Sequence, residues 1–301
     1  MGNLSVGGTG KTPHVAWLAE QYSDDFKVVI LSRGYGRKTK GFRWVDRDAS
    51  PQDSGDEPLL YARKFHGKVK VAVCERRVQG VQRILNEFPE TNLILLDDAF
   101  QHRQIKAGLN ILLTDYTNPF YNDFLLPTGS LRERRLNSRR ADLIVVTKCP
   151  ADLNADQRSI VQKKIGSGKK HIFFSSVNYS EPMSLAGKKW SQPKNVLLVT
   201  GIANPQPLVN QLSDSYDLVH IRFPDHHDFS SADLQQIHQK FDNFDSPDSV
   251  ILTTEKDYVR LVGDRAMESV STYPWYYIPI SVEFEDNENF KSIVDQYVGT
   301  V

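Results

Sequence analysis

Cysteine is nearly absent: the chain of 301 residues has two, Cys74 and Cys149. That excludes a disulfide framework and fits a reducing compartment. Net charge is absent too, because 37 Lys and Arg balance 37 Asp and Glu. Bulk coating of nucleic acid needs a basic excess, so no nucleic-acid partner is expected, although a local basic patch remains open. No apolar run approaches the ~18 residues of a membrane-spanning helix, and no signal-peptide pattern opens the chain. The protein is therefore expected in the cytosol or on a membrane surface. Internal repeats and low-complexity tracts are missing as well. What is there, 25% charged and 40% hydrophobic residues, is ordinary globular composition. At roughly 150 residues per domain the length predicts two domains, each able to bury a core.

Apolar runs of strand length, rich in Val, Ile and Leu, occupy 27–32, 69–74, 92–96, 109–114 and 143–147. They lack polar alternation, as strands buried on both faces of a parallel sheet do. A helical stretch at 13–21 precedes them and others at 58–65 and 77–88 lie between them, and such alternation predicts α/β layers. The stretch 175–195, with Ser180, Pro182, Gly187 and Pro193, reads as a linker. Strands at 196–200, 218–223, 250–253 and 275–280 follow, with helices at 205–212, 231–241 and 287–297. Ser230 or Ser231 is the expected cap of the second of these helices.

The segment Gly7-Gly8-Thr9-Gly10-Lys11-Thr12 has the chemistry of a phosphate loop. Glycines let backbone N–H groups approach phosphate oxygens, Lys11 offers a point charge, and the Thr12 hydroxyl can ligate Mg²⁺. The helix that begins there adds the positive end of its dipole, and Pro13 suits its first turn. The strict pattern wants glycine where Ser5 stands; a surface glycine turn is the alternative. A second element completes the pattern: the apolar run 92–96 ends in Asp97 and Asp98, where phosphate-loop enzymes place an acid beside Mg²⁺. A strand-to-turn junction would also favour Asp there. The fold class expected is α/β: a phosphate-loop NTPase-like core with a mostly parallel sheet, plus a second, smaller α/β domain. The core is assigned to 1–180 and the smaller domain, closing over the active site, to 181–286. Helix 287–301 is expected to pack back on the core.

At this point the chain resembles the tetraacyldisaccharide 4'-kinases of lipid A synthesis. The matching segments are Asn3 to Pro13 through the phosphate loop, Ser32-Arg33-Gly34-Tyr35-Gly36-Arg37, Gly55-Asp56-Glu57-Pro58, Asp97-Asp98-Ala99-Phe100-Gln101-His102 and Pro127-Thr128-Gly129-Ser130-Leu131-Arg132-Glu133. Thr200-Gly201-Ile202, Phe223-Pro224-Asp225-His226-His227 and Thr254-Glu255-Lys256-Asp257 complete the set. They run in order across nearly the whole chain. The family usually has glycine where Ala99 stands, and an apolar helix and a strand before the loop. Only four residues precede Ser5 here. The expectation is a truncated reading frame, or a sheet lacking the strand under the loop, with lower stability than a version extended upstream.

The resemblance implies an ATP- and Mg²⁺-dependent transfer of the γ-phosphate to the 4'-hydroxyl of a tetraacyldisaccharide 1-phosphate. It also implies a peripheral position on the cytoplasmic side of the inner membrane of a Gram-negative bacterium, or a soluble chain where the apolar helix is missing. No obligate protein partner is expected. A sugar hydroxyl loses a proton as it attacks, so a base is useful. The resemblance points to Asp56 for it, paired with a histidine of the Asp-His-His motif. Adjacent histidines in an extended chain face opposite ways, and His226 is preferred to His227. Read without the resemblance, Asp56 and Glu57 suit an acidic helix start.

The nucleotide is assigned to Ser5, Val6, Gly7, Gly8, Thr9, Gly10, Lys11 and Thr12, with Arg132, Glu133 and Thr200. Mg²⁺ is assigned to Thr12, Asp97, Asp98 and Glu57, with Lys11 counted as catalytic beside Asp56 and His226. Arg76 and Arg77 follow a strand's carboxyl end, where ligands bind in open α/β sheets. They are candidates for the substrate together with Gln101 and His102. Arg132, Arg134, Arg135, Arg139 and Arg140 form a basic run that suits ATP, the 1-phosphate or anionic lipid headgroups, or a solvated helix face. Pro150, two residues after Lys148, stands where a guanine reader would want Asp, which favours ATP over GTP. Cys149 is expected to pack rather than react. The competing reading is a nucleotide switch that hydrolyses slowly, and it has no use for a sugar-hydroxyl base.

Overall fold

The computed structural model describes residues 1–166, 171–185, 189–190, 192–244, 246–261 and 272–299. The first half runs β1 (Gly2–Asn3), α1 (Lys11–Tyr22), β2 (Val28–Ser32), β3 (Arg43–Trp44), α2 (Pro51–Ser54), α3 (Asp56–Phe65), β4 (Lys70–Val73), α4 (Arg77–Glu87), β5 (Leu93–Leu96), β6 (Ile111–Asp115), β7 (Leu143–Thr147), α5 (Ala155–Ile165) and β8 (His171–Tyr179). The second half runs β9 (Met183–Ser184), β10 (Asn195–Thr200), α6 (Gln206–Ser213), β11 (Asp217–Arg222), α7 (Ser231–Asp242), β12 (Ser249–Thr254), α8 (Glu255–Leu261), β13 (Trp275–Ile278), β14 (Ile280–Phe284) and α9 (Asn287–Val298).

Among the described residues the strands form three sheets, ordered β3-β4-β2-β5, β1-β6-β7-β8-β14 and β11-β10-β12-β13-β9. Pairing is parallel except for β3 with β4, β14 with β8 and β9 with β13. The fold is thus α/β and mostly parallel, as the unalternated apolar runs predict. Every residue of β2 is buried. Ile30, Val71 and Val73 face a core shared with α1, α3 and α9, while Val29, Leu31 and Ala72 face Ile84 of α4. That division follows from the two-residue period of a strand with helices on both sides.

The phosphate loop does rise from a strand, which corrects the expectation of a sheet lacking one. Gly2 and Asn3 pair with Leu112 and Leu113 of β6. On the other side Met1 N donates to Leu96 O at 2.9 Å, and Ala99 N donates to Met1 O at 3.1 Å. Residues 1–3 therefore bridge β5 and β6, and two residues of ladder suffice because both neighbours supply partners.

Two boundaries also move. Residues 175–179, read as linker, continue β8, where they pair with β14. The expected strand 275–280 splits at Pro279, which has no N–H to continue the ladder. Trp275–Ile278 stays in the third sheet, and Ile280–Phe284 crosses to β8. Val282 and Phe284 enter the N-terminal core beside Phe290 and Ile293 of α9. Residues 280–284 of the span 181–286 thus pack with the N-terminal sheet. Residues 186–188 and 191 of the linker lie outside the described residues. Helix α8 escaped the sequence reading. It joins the two parts, since Val259 is buried in the N-terminal core and Arg63 Nη1 donates to its carbonyl at 3.1 Å.

Candidate active site

Gly10 begins the site. It caps α1 with φ +81°, and Gly7 has φ +105°, both in the region that glycine enters without strain. A Cβ at Gly7 or Gly8 would meet nothing within 4 Å, so the loop's outer face is open. Its inner face is tied down. Thr147 Oγ1 donates to Thr9 O at 3.0 Å, and Asn3 Nδ2 donates to Thr9 Oγ1 at 2.8 Å. The first-turn N–H groups of α1 have no partner inside the helix, and the loop presents them with Lys11 and Thr12 to an anion.

His14, one turn into α1, is fully buried between Gly10 O at 2.7 Å and Ser175 Oγ at 2.8 Å. A carbonyl only accepts, so Nδ1 carries the proton and Nε2 accepts from Ser175. Burial lowers its pKa from 6.5 to about 4. The folded state therefore binds fewer protons than the unfolded state between those values, and stability falls as pH drops from about 6.5 to 4. The separation is worth roughly 3 kcal/mol. Melting temperature measured against pH is expected to show that acid loss, and His14→Gln to flatten it. An unchanged acid slope in the variant would remove His14 as its source.

Asp97 and Asp98 follow β5 with opposite environments. Asp97 is fully buried and receives Ser32 Oγ on Oδ2 at 3.2 Å, while its Oδ1 is buried with no partner among the described residues. Burial, with the negative charges of Glu57 and Asp98, raises its carboxyl to about 6. Asp98 sits at φ +45°, which Asp tolerates better than most side chains. Burial would raise its carboxyl too, but Arg132 and Lys11 outweigh it and hold it below the usual carboxylate range. Arg132 Nη1 and Nη2 reach Asp98 at 3.2 and 2.9 Å, and Lys11 Nζ lies 3.7 Å away.

Asn3, absent from the sequence-based site, accepts from both Arg132 Nη2 and Lys11 Nζ on its Oδ1. Arg132 reaches this place because residues 130–132 pair with the loop. Val6 N donates to Ser130 O at 2.7 Å and Arg132 N to Leu4 O at 2.7 Å.

The second cluster centres on Asp56, at the start of α3. His226 Nδ1 lies 2.9 Å from Asp56 Oδ2, and Arg260 reaches the same oxygen through Nε at 2.8 Å and Nη2 at 2.7 Å. Burial pushes the Asp56 carboxyl up, but hydrogen bonds from His226 and Arg260 and the charge of Arg260 hold it below the usual range. Arg260 is itself anchored by Asp257 Oδ1 at 2.9 Å and Gly201 O at 3.0 Å. With Nδ1 protonated, His226 donates to Asp56 and its Nε2 accepts from Lys256 Nζ at 3.3 Å. A left-handed φ of +60° turns His226 toward Asp56. His227 goes the other way, stacking on Phe223 with ring centroids 4.6 Å apart and meeting Asp233 at 3.1 Å.

Sequence reasoning missed Arg260. The available signal is its position three residues after Asp257 on one helix face. Arg260→Gln is expected to let the Asp56 carboxyl rise toward its ordinary value. A base works deprotonated, so activity present above the folded pKa is lost as pH falls through it. The acid limb of the rate profile should therefore move to higher pH, and Arg260→Lys should move it less. An acid limb that stays in place would show that Arg260 does not set it.

Several other assigned residues take supporting contacts around the site, and Thr200 lies away from it. Arg77 is buried, with Nη1 and Nη2 donating to Cys74 O at 2.6 Å and Asp97 O at 3.0 Å. It ties two strand ends together and offers no face to a substrate, whereas Arg76 is exposed at the same strand end. Thr200 is fully buried, its hydroxyl 2.8 Å from His220 Nε2, so the nucleotide contact assigned to it has no path. Glu133 holds Arg140 through both carboxylate oxygens at 2.9 and 2.8 Å. Gln101 donates to Asn3 O at 2.8 Å, and His102 Nδ1 is buried without a partner among the described residues. Burial and the charge of Arg77 lower the His102 pKa, which favours the neutral ring. Burial pushes the Cys149 thiol up to about 11, as suits a packing residue.

Among the described residues no three His, Cys, Asp or Glu side chains are arranged to enclose a metal ion. Mg²⁺ at a nucleotide site takes only one or two protein carboxylates, the rest being phosphate oxygens and water. Asp97, with an unpartnered buried oxygen, and the neighbouring Asp98 fit that donor set.

Comparison with known proteins adds three findings. The sequence profile of the tetraacyldisaccharide-1-P 4'-kinase family matches residues 1–299. The chain is 40% identical to a tetraacyldisaccharide 4'-kinase of Flavobacterium johnsoniae, covering 99% of this chain and 86% of that one. It is 39% identical to that of Bacteroides fragilis, covering 99% and 83%. Its fold is similar to the "apo" form of LpxK from Aquifex aeolicus in complex with ATP, with a TM-score of 0.75 and 28% identity over 99% of this chain and 87% of that chain.

Proposed function

The chain belongs to the tetraacyldisaccharide-1-P 4'-kinase family, and from that premise we propose how its residues share the work. It is an ATP-dependent kinase that transfers the γ-phosphate of ATP to the 4'-hydroxyl of a tetraacyldisaccharide 1-phosphate, giving a lipid A precursor.

In our reading the loop from Ser5 to Thr12 cradles the nucleotide phosphates with backbone N–H groups, and Lys11 neutralises charge that grows on them in the transition state. Arg132, fixed to the loop by the pairing of residues 130–132, adds a second cation. Thr12, Asp97 and Asp98, with Glu57 nearby, would hold Mg²⁺, which when bound supplies charge neutralisation at the phosphates.

Asp56 takes the proton of the sugar hydroxyl. The contacts from His226 and Arg260 all end on Oδ2, which leaves Oδ1 for that proton. His226 orients the carboxylate, and Lys256 and Arg260 balance its charge. A smaller unit, residues 180–279, supplies His226 and Arg260 to a phosphate-loop unit that supplies Asp56.

The Asp56–His226 pair carries this assignment, because a nucleotide switch needs no base for a sugar hydroxyl. The test follows radiolabelled γ-phosphate from ATP. Label is expected on the disaccharide lipid, dependent on a divalent ion and lost in excess chelator. Label released only as inorganic phosphate would overturn the kinase assignment, and full transfer in chelator would overturn the Mg²⁺ assignment.

A further inference from the structure

We propose that the hairpin 123–131, with the arginines that follow it, docks on an anionic phospholipid bilayer and holds the phosphate loop at the membrane surface. It rests on the kinase reading in one respect, that a lipid acceptor would be met at such a surface. Phe124, Leu125 and Leu126 are 61%, 43% and 53% exposed, and Leu136 is 62% exposed. Large apolar side chains gathered in this way mark an interaction surface.

The exposure is built into the backbone. Asp123 Oδ1 accepts from Phe124 N at 2.7 Å and from Ser130 N at 3.1 Å. Leu131 N donates to Phe124 O at 2.9 Å, and Leu126 N to Leu131 O at 3.0 Å. Gly129 stands where any Cβ would collide with Asp123 and the backbone of Phe124. The closed hairpin thus holds its apolar side chains outward.

Charge then selects the occupant. Arg134, Arg135 and Arg139 are exposed beside the hairpin. Arg135 Nε donates to Asp123 O at 2.8 Å, and its guanidinium lies 5.1 Å from the centre of the Phe124 ring. Of the nearby acids, Glu133 is paired with Arg140, while Asp123 is hydrogen-bonded by Ser130 and lies in the field of Arg135. An apolar wedge rimmed by exposed arginines is complementary to acyl chains beneath anionic headgroups. A second copy of this chain would instead bring like charges together. No helix among the described residues is long and apolar enough to cross a membrane. Val6 N donates to Ser130 O and Arg132 N to Leu4 O, which ties the hairpin to the phosphate loop.

The test is flotation of the 301-residue chain with vesicles of phosphatidylethanolamine and phosphatidylglycerol, and with phosphatidylcholine vesicles, in the absence of substrate. Binding is expected to the anionic vesicles, with release at high salt. Combining Phe124→Ser, Leu125→Ser and Leu126→Ser should lower binding roughly tenfold or more. Replacing Arg134, Arg135 and Arg139 with Gln should lower it roughly fivefold per arginine. Both variants should melt like the parent and still phosphorylate a detergent-dispersed acceptor, while losing turnover on a vesicle-borne one.

Equal binding to phosphatidylcholine, variants that float like the parent, or a parent that dimerises through these leucines would each overturn the proposal. If the parent transfers no phosphate even in detergent, the kinase reading fails while flotation still judges the surface.

Discussion

Lys11→Ala is expected to lower phosphoryl transfer by roughly a hundredfold or more and to leave the fold intact. The side chain lies outside every apolar cluster, and its neighbours are Asn3 Oδ1 at 3.4 Å and Asp98 Oδ1 at 3.7 Å. Alanine is a good residue for the start of α1. What disappears is a positive charge at the mouth of the loop, beside a nucleotide whose charge shifts during transfer. Such losses cost ~2–3 kcal/mol of barrier or more. Turnover with labelled ATP measures the effect, and a melting curve tests the fold. Activity within a few-fold of the parent would remove the phosphate-loop assignment. Removing Lys11 also takes one of two cations from Asp98, so part of the loss can come from a disordered acid. Lys11→Met, closer in volume, separates charge from packing: if it recovers activity, charge is not the cause.

The second large effect is expected at Asp56. Asp56→Ala should lower kcat on the order of a hundredfold or more while changing the KM for ATP little, because a base acts in the transition state. The risk is structural, since Arg260 is buried and would lose one of its two carboxylate partners. Asp56→Asn keeps the shape and most of the hydrogen bonding, so a matching loss in both variants points to the proton. A defect mainly in ATP binding would instead make Asp56 a structural or metal-linked group. His226→Ala should show the same pattern with a smaller loss. His227→Ala should be milder still, because that ring faces Phe223 and Asp233. If His227→Ala is the worse of the two, the pairing with His226 is not the one that matters for turnover.

The phosphate loop was readable because its chemistry is local. Gly10, Lys11 and Thr12 are adjacent in the chain, and a glycine with φ +81° before a helix is legible from residue type alone. The same holds for Asp97 and Asp98 at the end of an apolar strand. Arg77 and Thr200 show the limit of that logic. Each stands in a segment that looks functional, yet each side chain turns inward to a buried partner. Motif position does not encode the direction of a side chain.

Taken alone, the sequence determined the alternation of buried strands and helices, the phosphate loop and the acidic strand end. These depend on neighbours a few residues apart and on the burial period of each element. The family resemblance pointed to Asp56 with His226, but tertiary structure alone set their contact across 170 positions and added Arg260 across 204. It also decided that Asp97 and Asp98 differ: one is fully buried with an oxygen that has no partner among the described residues, the other clamped by Arg132 from 34 residues away. The physical reason is that a carboxylate's protonation and orientation are set by burial and by charges within a few ångströms. Which charges those are depends on how α3, α8 and the loop before α7 pack together.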